Sequence, residues 1–337
     1  MSFEDIKFSE EIKKSIKRMN YETATDVQKD TIPLILDGHN VIVKSHTGSG
    51  KTAAFGIPIS EQIFRSKKGR GALVLCPTRE LAVQVKQELR KINTDTRLNV
   101  TAFYGGHGMM SERKAISNGI DILVATPGRL LDHFKQGQLK PRHFKTVVLD
   151  EADRMLDMGF IHDLKDILNQ VQPGNTHLFS ATLDGSVAKI IQEYIPTYEE
   201  IILADEIVGK NIFERHIKVP FEEKLEALQE IIEEAKNERV LVFVGTKRTA
   251  DHLSRKLSRL DYKVECIHGG KTQRSREFAL ENFKSGKKTI LIGTDVAARG
   301  IDVQNISHVI NFALPQDPES YVHRIGRTGR AGKEGCA

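Results

Sequence analysis

The sequence predicts an α/β protein of two tandem domains, each a mainly parallel sheet flanked by helices. Two observations predict this. Short apolar runs alternate with amphipathic segments of helical length, the signature of repeated βα units. The second half of the chain also echoes the first: 72–82 (ALVLCPTRELA) resembles 240–250 (VLVFVGTKRTA), and 121–126 (DILVAT) resembles 289–294 (TILIGT). Thr78 and Thr246 stand 168 positions apart, as do Thr126 and Thr294, while Gly106 and Gly270 stand 164 apart. Three matches in one order, at nearly one offset, read as a duplicated domain.

The strands follow from the apolar runs. In the first half they are 41–44 (VIVK), 72–76, 100–104 (VTAFY), 121–125, 146–150 (TVVLD) and 176–180 (THLFS). Between them lie segments such as 79–92 (RELAVQVKQELRKI), whose apolar positions recur at helical spacing. The alternation pauses at 204–211 and resumes with 240–244, 263–267, 289–293 and 308–312. The expected domains are therefore 1–205 and 212–337, joined by a linker at 206–211.

Composition narrows the class. The chain has 337 residues, 39% hydrophobic and 28% charged, enough for two cores and too apolar for disorder. A net charge of +5 permits a polyanionic partner without requiring one. Cys76, Cys266 and Cys336 lie far apart, which excludes a CxxC zinc site and a disulfide framework and points to a reducing compartment. The polar N-terminus is unlike a signal peptide, and no apolar stretch has spanning length, so a cytoplasmic protein with no membrane association is expected.

One chemical element occurs in the first half only. SHTGSGKT, 45–52, fits the phosphate-binding loop pattern except that Ser45 replaces its leading glycine. Gly48 and Gly50 let backbone N–H groups converge on phosphates at a helix N-terminus. Lys51 can reach the β- and γ-phosphates, and the Thr52 hydroxyl can ligate Mg²⁺. A chance turn before a helix would not require strand, glycines, lysine, hydroxyl and helix in that order.

DEAD, 150–153, ends an apolar run with three carboxylates. Alone it reads as acids at a helix start. With the loop upstream, Asp150 fits the Mg²⁺-holding acid at the end of a second strand, and Glu151 the residue that orients or deprotonates a water. Asp153 has no such role and is expected to contact another motif. HRIGRTGR, 323–330, places Arg324, Arg327 and Arg330 at three-residue intervals, interleaved with Gly326 and Gly329. A solvated basic face is the ordinary reading of such a run. The glycines weaken it, and arginines serving a transferring phosphoryl group would supply what the second domain lacks.

The other segments at predicted strand ends are weak singly: PTRELA (77–82), GG (105–106), TPGR (126–129), SAT (180–182) and TDVAARGID (294–302). As a set they can line a groove that tracks a sugar-phosphate backbone. Trp is absent and aromatics are few, which favours backbone contact over base stacking.

Taken together, these segments, with QRSR at 273–276, closely resemble the motif series of the DEAD-box ATP-dependent RNA helicases of superfamily 2, over nearly the whole chain. The resemblance implies two RecA-like domains with ATP, Mg²⁺ and RNA, and a monomer. It implies an adenine-reading motif at Tyr21, Thr25 and Gln28, supported by Phe3, with Ala24 in place of the usual proline. It adds Thr47, Ser49 and Asp302 to the ATP contacts. It assigns Arg327 and Arg330 as finger arginines, and Asp153, Ser180, Thr182 and His323 as coupling residues. It places Pro77, Arg79, Gly106, Thr126, Arg129, Gly270, Gln273, Arg276 and Thr294 near the RNA backbone. In the family the last motif runs on into another strand. Here 332–337 (GKEGCA) stops, so truncation within the second domain and an unpaired final sheet edge are expected. Three functions share these residues: local separation of RNA duplexes, an ATP-dependent RNA clamp or remodeller, and a DNA translocase.

Overall fold

A computed structural model describes residues 3–45, 49–66, 71–106, 109–183, 185–203, 211–236, 238–295, 303, 305–315, 318–329 and 334–337. The chain divides into two compact units, Met1–Asp205 and Glu206–Ala337. Most of the expected linker lies outside the described residues. Asn211 already belongs to the second unit, where its carbonyl accepts from Gly335 N–H at 2.8 Å.

The first unit carries strands β1 (Val41–Lys44), β2 (Gly71–Leu75), β3 (Val100–Phe103), β4 (Ile122–Ala125), β5 (Phe144–Asp150), β6 (Asn175–Ser180) and β7 (Glu199–Ile202). They form one parallel sheet in the order β3-β4-β2-β5-β6-β1-β7. Its helices are α1 (Glu10–Arg18), α2 (Asp26–Leu36), α3 (Lys51–Ser66), α4 (Arg79–Ile92), α5 (Met109–Ser117), α6 (Pro127–Lys135), α7 (Ala152–Asp157), α8 (Ile161–Val171) and α9 (Gly185–Tyr194). Alternation along each strand builds two cores, one on each face of the sheet. Ala72 and Val74 of β2 join one, and Leu73 and Leu75 join the other. Each fully buried aliphatic side chain contributes ~2 kcal/mol against exposure. Helix α4 shows why a segment becomes a helix here. The Thr78 hydroxyl caps it by accepting Leu81 N–H, and Ala82, Val85, Leu89 and Ile92 recur at helical spacing on its buried face.

The second unit carries β8 (Ile212–Phe213), β9 (Arg239–Phe243), β10 (Val264–Ile267), β11 (Ile290–Gly293), β12 (Ile306–Asn311) and β13 (Gly335–Cys336). Its sheet is also parallel, in the order β10-β11-β9-β12-β13-β8. Its helices are α10 (Lys224–Glu234), α11 (Lys247–Arg259), α12 (Gln273–Lys284) and α13 (Pro318–Ile325). The echo in sequence is an echo in topology: β3-β4-β2-β5 and β10-β11-β9-β12 follow the same order. Thr246 caps α11 through Thr249 N–H as Thr78 caps α4.

The expectation of an unpaired final edge is corrected. β13 lies between β12 and β8, and Ala337 exchanges backbone hydrogen bonds with Phe213 and Arg215. The short β8 supplies the partner that no apolar run announced. Among the described residues, no helix is long and apolar enough to cross a membrane.

Candidate functional site

Sheet order sorts the chemistry of the first unit. Strands β5, β6 and β1 are neighbours, and their carboxyl ends carry DEAD, SAT and the glycine-rich loop. Strands β3, β4 and β2 are neighbours on the other side, and theirs carry GG, TPGR and PTRE. Carboxyl ends are where open α/β sheets bind ligands.

At the end of β1, Ser45 donates its N–H to Ser180 O at 3.0 Å and accepts Lys51 Nζ on its carbonyl at 2.9 Å. Its hydroxyl accepts from Ser49 Oγ at 3.3 Å, a contact across the loop that the usual glycine has no side chain to make. Lys51 is buried, and Thr52 follows, half-buried, in the first turn of α3. Gly50 has φ +92°, and a methyl there would lie 2.6 Å from Gln28 Nε2 and 3.2 Å from Thr25 Oγ1. Both conformation and close approach require glycine. Thr47 and Gly48 lie outside the described residues.

The expected base-reading motif is bonded to this loop. Thr25 Oγ1 donates to Ser49 O at 2.9 Å, and Gln28 Nε2 donates to Gly50 O at 3.3 Å. Gln28 Oε1 accepts Thr25 N–H at 3.0 Å, the back-reaching half of a capping box at α2. A carboxamide has two N–H hydrogens and two oxygen lone pairs, so each end keeps one position for a base. Tyr21 stacks on Phe3, with centroids 6.0 Å apart and planes 21° apart, and its hydroxyl donates to Glu88 Oε1 at 2.7 Å.

Asp150 closes β5. It is 3% exposed, and its Oδ1 accepts no hydrogen bond. Burial pushes its carboxyl up to about 7, against the pull of the Lys51 ammonium and with the added push of Glu151. A buried carboxylate oxygen that accepts no hydrogen bond is a hard oxygen ligand of the kind that a cation such as Mg²⁺ takes. Glu151 follows in the left-handed region, φ +52°, and Arg154 Nη1 donates to its Oε2 at 2.8 Å. Asp153 Oδ2 accepts the backbone N–H of Ala181 at 3.0 Å and Thr182 at 3.2 Å, while Asp153 N–H donates to Ser180 Oγ at 3.2 Å. The carboxylate segment and SAT are thereby tied together. Cys76, at the end of β2, is buried, and its thiol is raised by burial, then by Asp150 and Glu151.

On the other side of the sheet, Pro77 is buried and Arg79 lies over the turn at Gly105 and Gly106. Gly106 has φ +82°, and a methyl on it would stand 2.6 Å from Arg79 Nη1. Thr126 precedes α6 as its N-cap. Arg129, on α6, gives Nε and Nη2 to Glu112 Oε2 at 3.0 and 2.7 Å, and the buried His133 meets the same oxygen at 2.7 Å. Sequence reasoning assigned Arg129 to RNA and did not find Glu112.

In the second unit, Gly270 N–H donates to His268 Nδ1 at 3.1 Å, Thr272 caps α12, and Thr294 follows β11. Arg276 is half-buried on α12, which begins at Gln273. Lys247 runs along the Gly269–Gly270 turn, its Nζ 3.7 Å from where a Gly269 methyl would stand. This repeats the placement of Arg79, and the 168-residue offset of the repeat would have pointed to it.

Arg324 and Arg327 of the arginine run do not form a solvated face. Helix α13 ends at Ile325, so Arg327 lies beyond it and is 5% exposed. Arg324, 2% exposed, pairs through Nε and Nη2 with both Asp295 oxygens at 2.6 Å and lies over the Phe243 ring. Its buried fork is committed to a carboxylate within its own unit. His323 lies on α13, and Asp302 and Arg330 lie outside the described residues.

Comparisons with known proteins agree with this organisation. The DEAD/DEAH box helicase family matches residues 25–190, and the helicase conserved C-terminal domain matches 223–332. The DEAD-box ATP-dependent RNA helicase CshA of Bacillus subtilis is 44% identical over 339 residues, covering 100% of this chain and 69% of that protein. The ATP-dependent RNA helicase CshA of Listeria monocytogenes is 45% identical over 337 residues, covering 99% of this chain and 65% of that protein. The chain thus spans about two thirds of the length of these relatives. Among solved structures, Saccharomyces cerevisiae Dbp5 bound to RNA and ADP BeF3 has TM-score 0.86 and 29% identity, covering 100% of this chain and 88% of that one. The helicase Mss116 bound to ssRNA and UDP-BeF has TM-score 0.86 and 33% identity, covering 99% and 73%.

Proposed function

The chain belongs to the DEAD-box family of ATP-dependent RNA helicases, and on that premise we propose that it hydrolyses ATP in response to RNA and uses the cycle to separate short RNA duplexes locally. One observation carries the catalytic part. Asp150 presents a buried, unbonded carboxylate oxygen beside the Lys51 loop, and Glu151 stands next to it at the same strand end. Thr52 and Asp150 would hold Mg²⁺, which would neutralise charge on the phosphates. Lys51 and the amides of 47–50 bind the phosphates. Glu151 orients the attacking water and accepts its proton.

Gln28, Thr25 and Tyr21 read the adenine, and Asp302 meets the ribose. Arg327 and Arg330 come to the γ-phosphate when ATP and RNA draw the two domains together, so an isolated nucleotide turns over slowly. The contact of Asp153 with Ser180 and Thr182, joined by His323, reports the state of the carboxylates to that closure. RNA is gripped along its backbone by Pro77, Arg79, Gly106, Thr126 and Arg129 in domain 1, and by Gly270, Gln273, Arg276 and Thr294 in domain 2. The RNA named in the relatives and in the Dbp5 and Mss116 structures supports this choice of partner.

Strand displacement measured beside ATP hydrolysis tests the reading. Coupled displacement of a short RNA duplex is expected. RNA-dependent turnover without displacement would make the protein a clamp.

A further inference from the structure

A side-chain contact stands at the base end of the proposed ATP site. Tyr21 is half-buried, one ring face is covered by the buried Phe3, and its hydroxyl donates to Glu88 Oε1 at 2.7 Å. Glu88 lies on α4, whose Ala82, Val85 and Leu89 are buried, so the anchor is fixed to the core. Its second oxygen accepts from Lys91 Nζ at 3.2 Å, which orients the carboxylate. The segment leading to Tyr21 is held separately. Ser9 bonds Glu61 on α3 through N–H and hydroxyl at 2.8 and 2.6 Å, and Ser15 Oγ donates to Asp95 at 3.0 Å. Seven residues beyond Tyr21, Gln28 is bonded to the loop at Gly50 O.

The ring therefore has one stacked face, one anchored edge and two tethered chain directions. A phenol ring free to rotate about χ1 and χ2 would have to be ordered by each base that stacks on it. A ring held beforehand does not incur that entropy on binding. Glu88 contributes this through a hydroxyl that phenylalanine lacks.

We propose that Glu88 is a positioning residue that sets the nucleobase affinity and selectivity of the ATP site by holding the Tyr21 ring for stacking. The proposal rests on the ATPase reading above and on Tyr21 meeting the base. Glu88 touches neither phosphate nor base, so its effect is confined to the base-dependent part of binding.

The test is steady-state hydrolysis of ATP and GTP, with inorganic tripolyphosphate as a competitive inhibitor that has no base. Glu88→Ala is expected to raise KM for ATP about fivefold, the scale of ordering one side chain on binding. It should leave kcat within about twofold and tripolyphosphate inhibition unchanged, with the ATP-to-GTP preference reduced. Glu88→Gln, which keeps an acceptor, should restore most of the affinity. Tyr21→Phe should reproduce Glu88→Ala, and the double variant should be no worse than either single one. An unchanged KM for ATP in both single variants overturns the proposal, as does equal weakening of tripolyphosphate. Absence of ATP-saturable turnover in the unaltered chain overturns the ATPase reading itself, and with it this proposal.

Discussion

Asp153 Oδ2 accepts the backbone N–H of Ala181 at 3.0 Å, which ties the last carboxylate of the acidic tetrad to the end of the adjacent strand. Thr182 N–H shares the same oxygen. Asp153→Ala removes the oxygen that accepts both N–H groups, and hydrogen bonds to a charged group contribute about 1.5–3 kcal/mol. Urea denaturation of the variant should show a loss of about 2 kcal/mol, and Asp153→Asn, which keeps an oxygen, a smaller one. An unshifted midpoint for Asp153→Ala would show that the contact contributes nothing.

Glu151→Gln should separate binding from chemistry. The amide keeps an oxygen for Arg154, so the local ion pair becomes a hydrogen bond from the guanidinium to a neutral acceptor and the strand end is preserved. Affinity for a fluorescent ATP analogue should hold, while RNA-stimulated phosphate release falls by at least about 10²-fold, the scale of a lost general base. Normal hydrolysis by this variant would remove Glu151 from the mechanism.

His177 gives a pH prediction remote from the phosphates. Both ring nitrogens are buried without a partner, and burial lowers its pKa from 6.5 to about 3. The unfolded chain therefore binds a proton here that the folded chain refuses. The contribution to stability is present above pH 6.5 and is lost as pH falls toward 3. Between pH 7 and pH 5 the loss amounts to about 2 kcal/mol. His177→Leu should flatten that part of the stability profile, measured by chemical denaturation at both pH values. Parallel profiles for the two proteins would refute it.

Arg79 and Lys247 hold equivalent places over the two glycine turns. Replacing either by Ala should weaken single-stranded RNA binding without regard to sequence. It should also reduce the slope of log affinity on log salt by about 0.7, one phosphate contact. Fluorescence anisotropy across a salt series reads both quantities. A variant with the parental slope does not lose a phosphate contact.

Much of this architecture was legible because it rests on local signals. The apolar runs ending in SHTGSGKT, DEAD and SAT became the adjacent strands β1, β5 and β6, since buried parallel strands are nearly continuous in hydrophobicity. The 168-residue offset became a shared strand order. The strands that escaped, β7 (EEII), β8 (IF) and β13 (GC), are too short or too polar to show a period. Side-chain partnerships escaped for a different reason. Nothing local to Arg129 names Glu112, and nothing local to Arg324 names Asp295, because each pair is made by packing between elements. Lys247 was within reach, since it repeats Arg79 one offset later.

The central claim is that RNA switches on ATP hydrolysis at the carboxyl ends of β1, β5 and β6. Its most direct measurement is the steady-state ATPase rate at one salt concentration, without nucleic acid, with single-stranded RNA, and with DNA of the same length and sequence. The prediction is a low basal rate, strong stimulation by RNA and little by DNA. A rate indifferent to RNA, or raised equally by DNA, would contradict it.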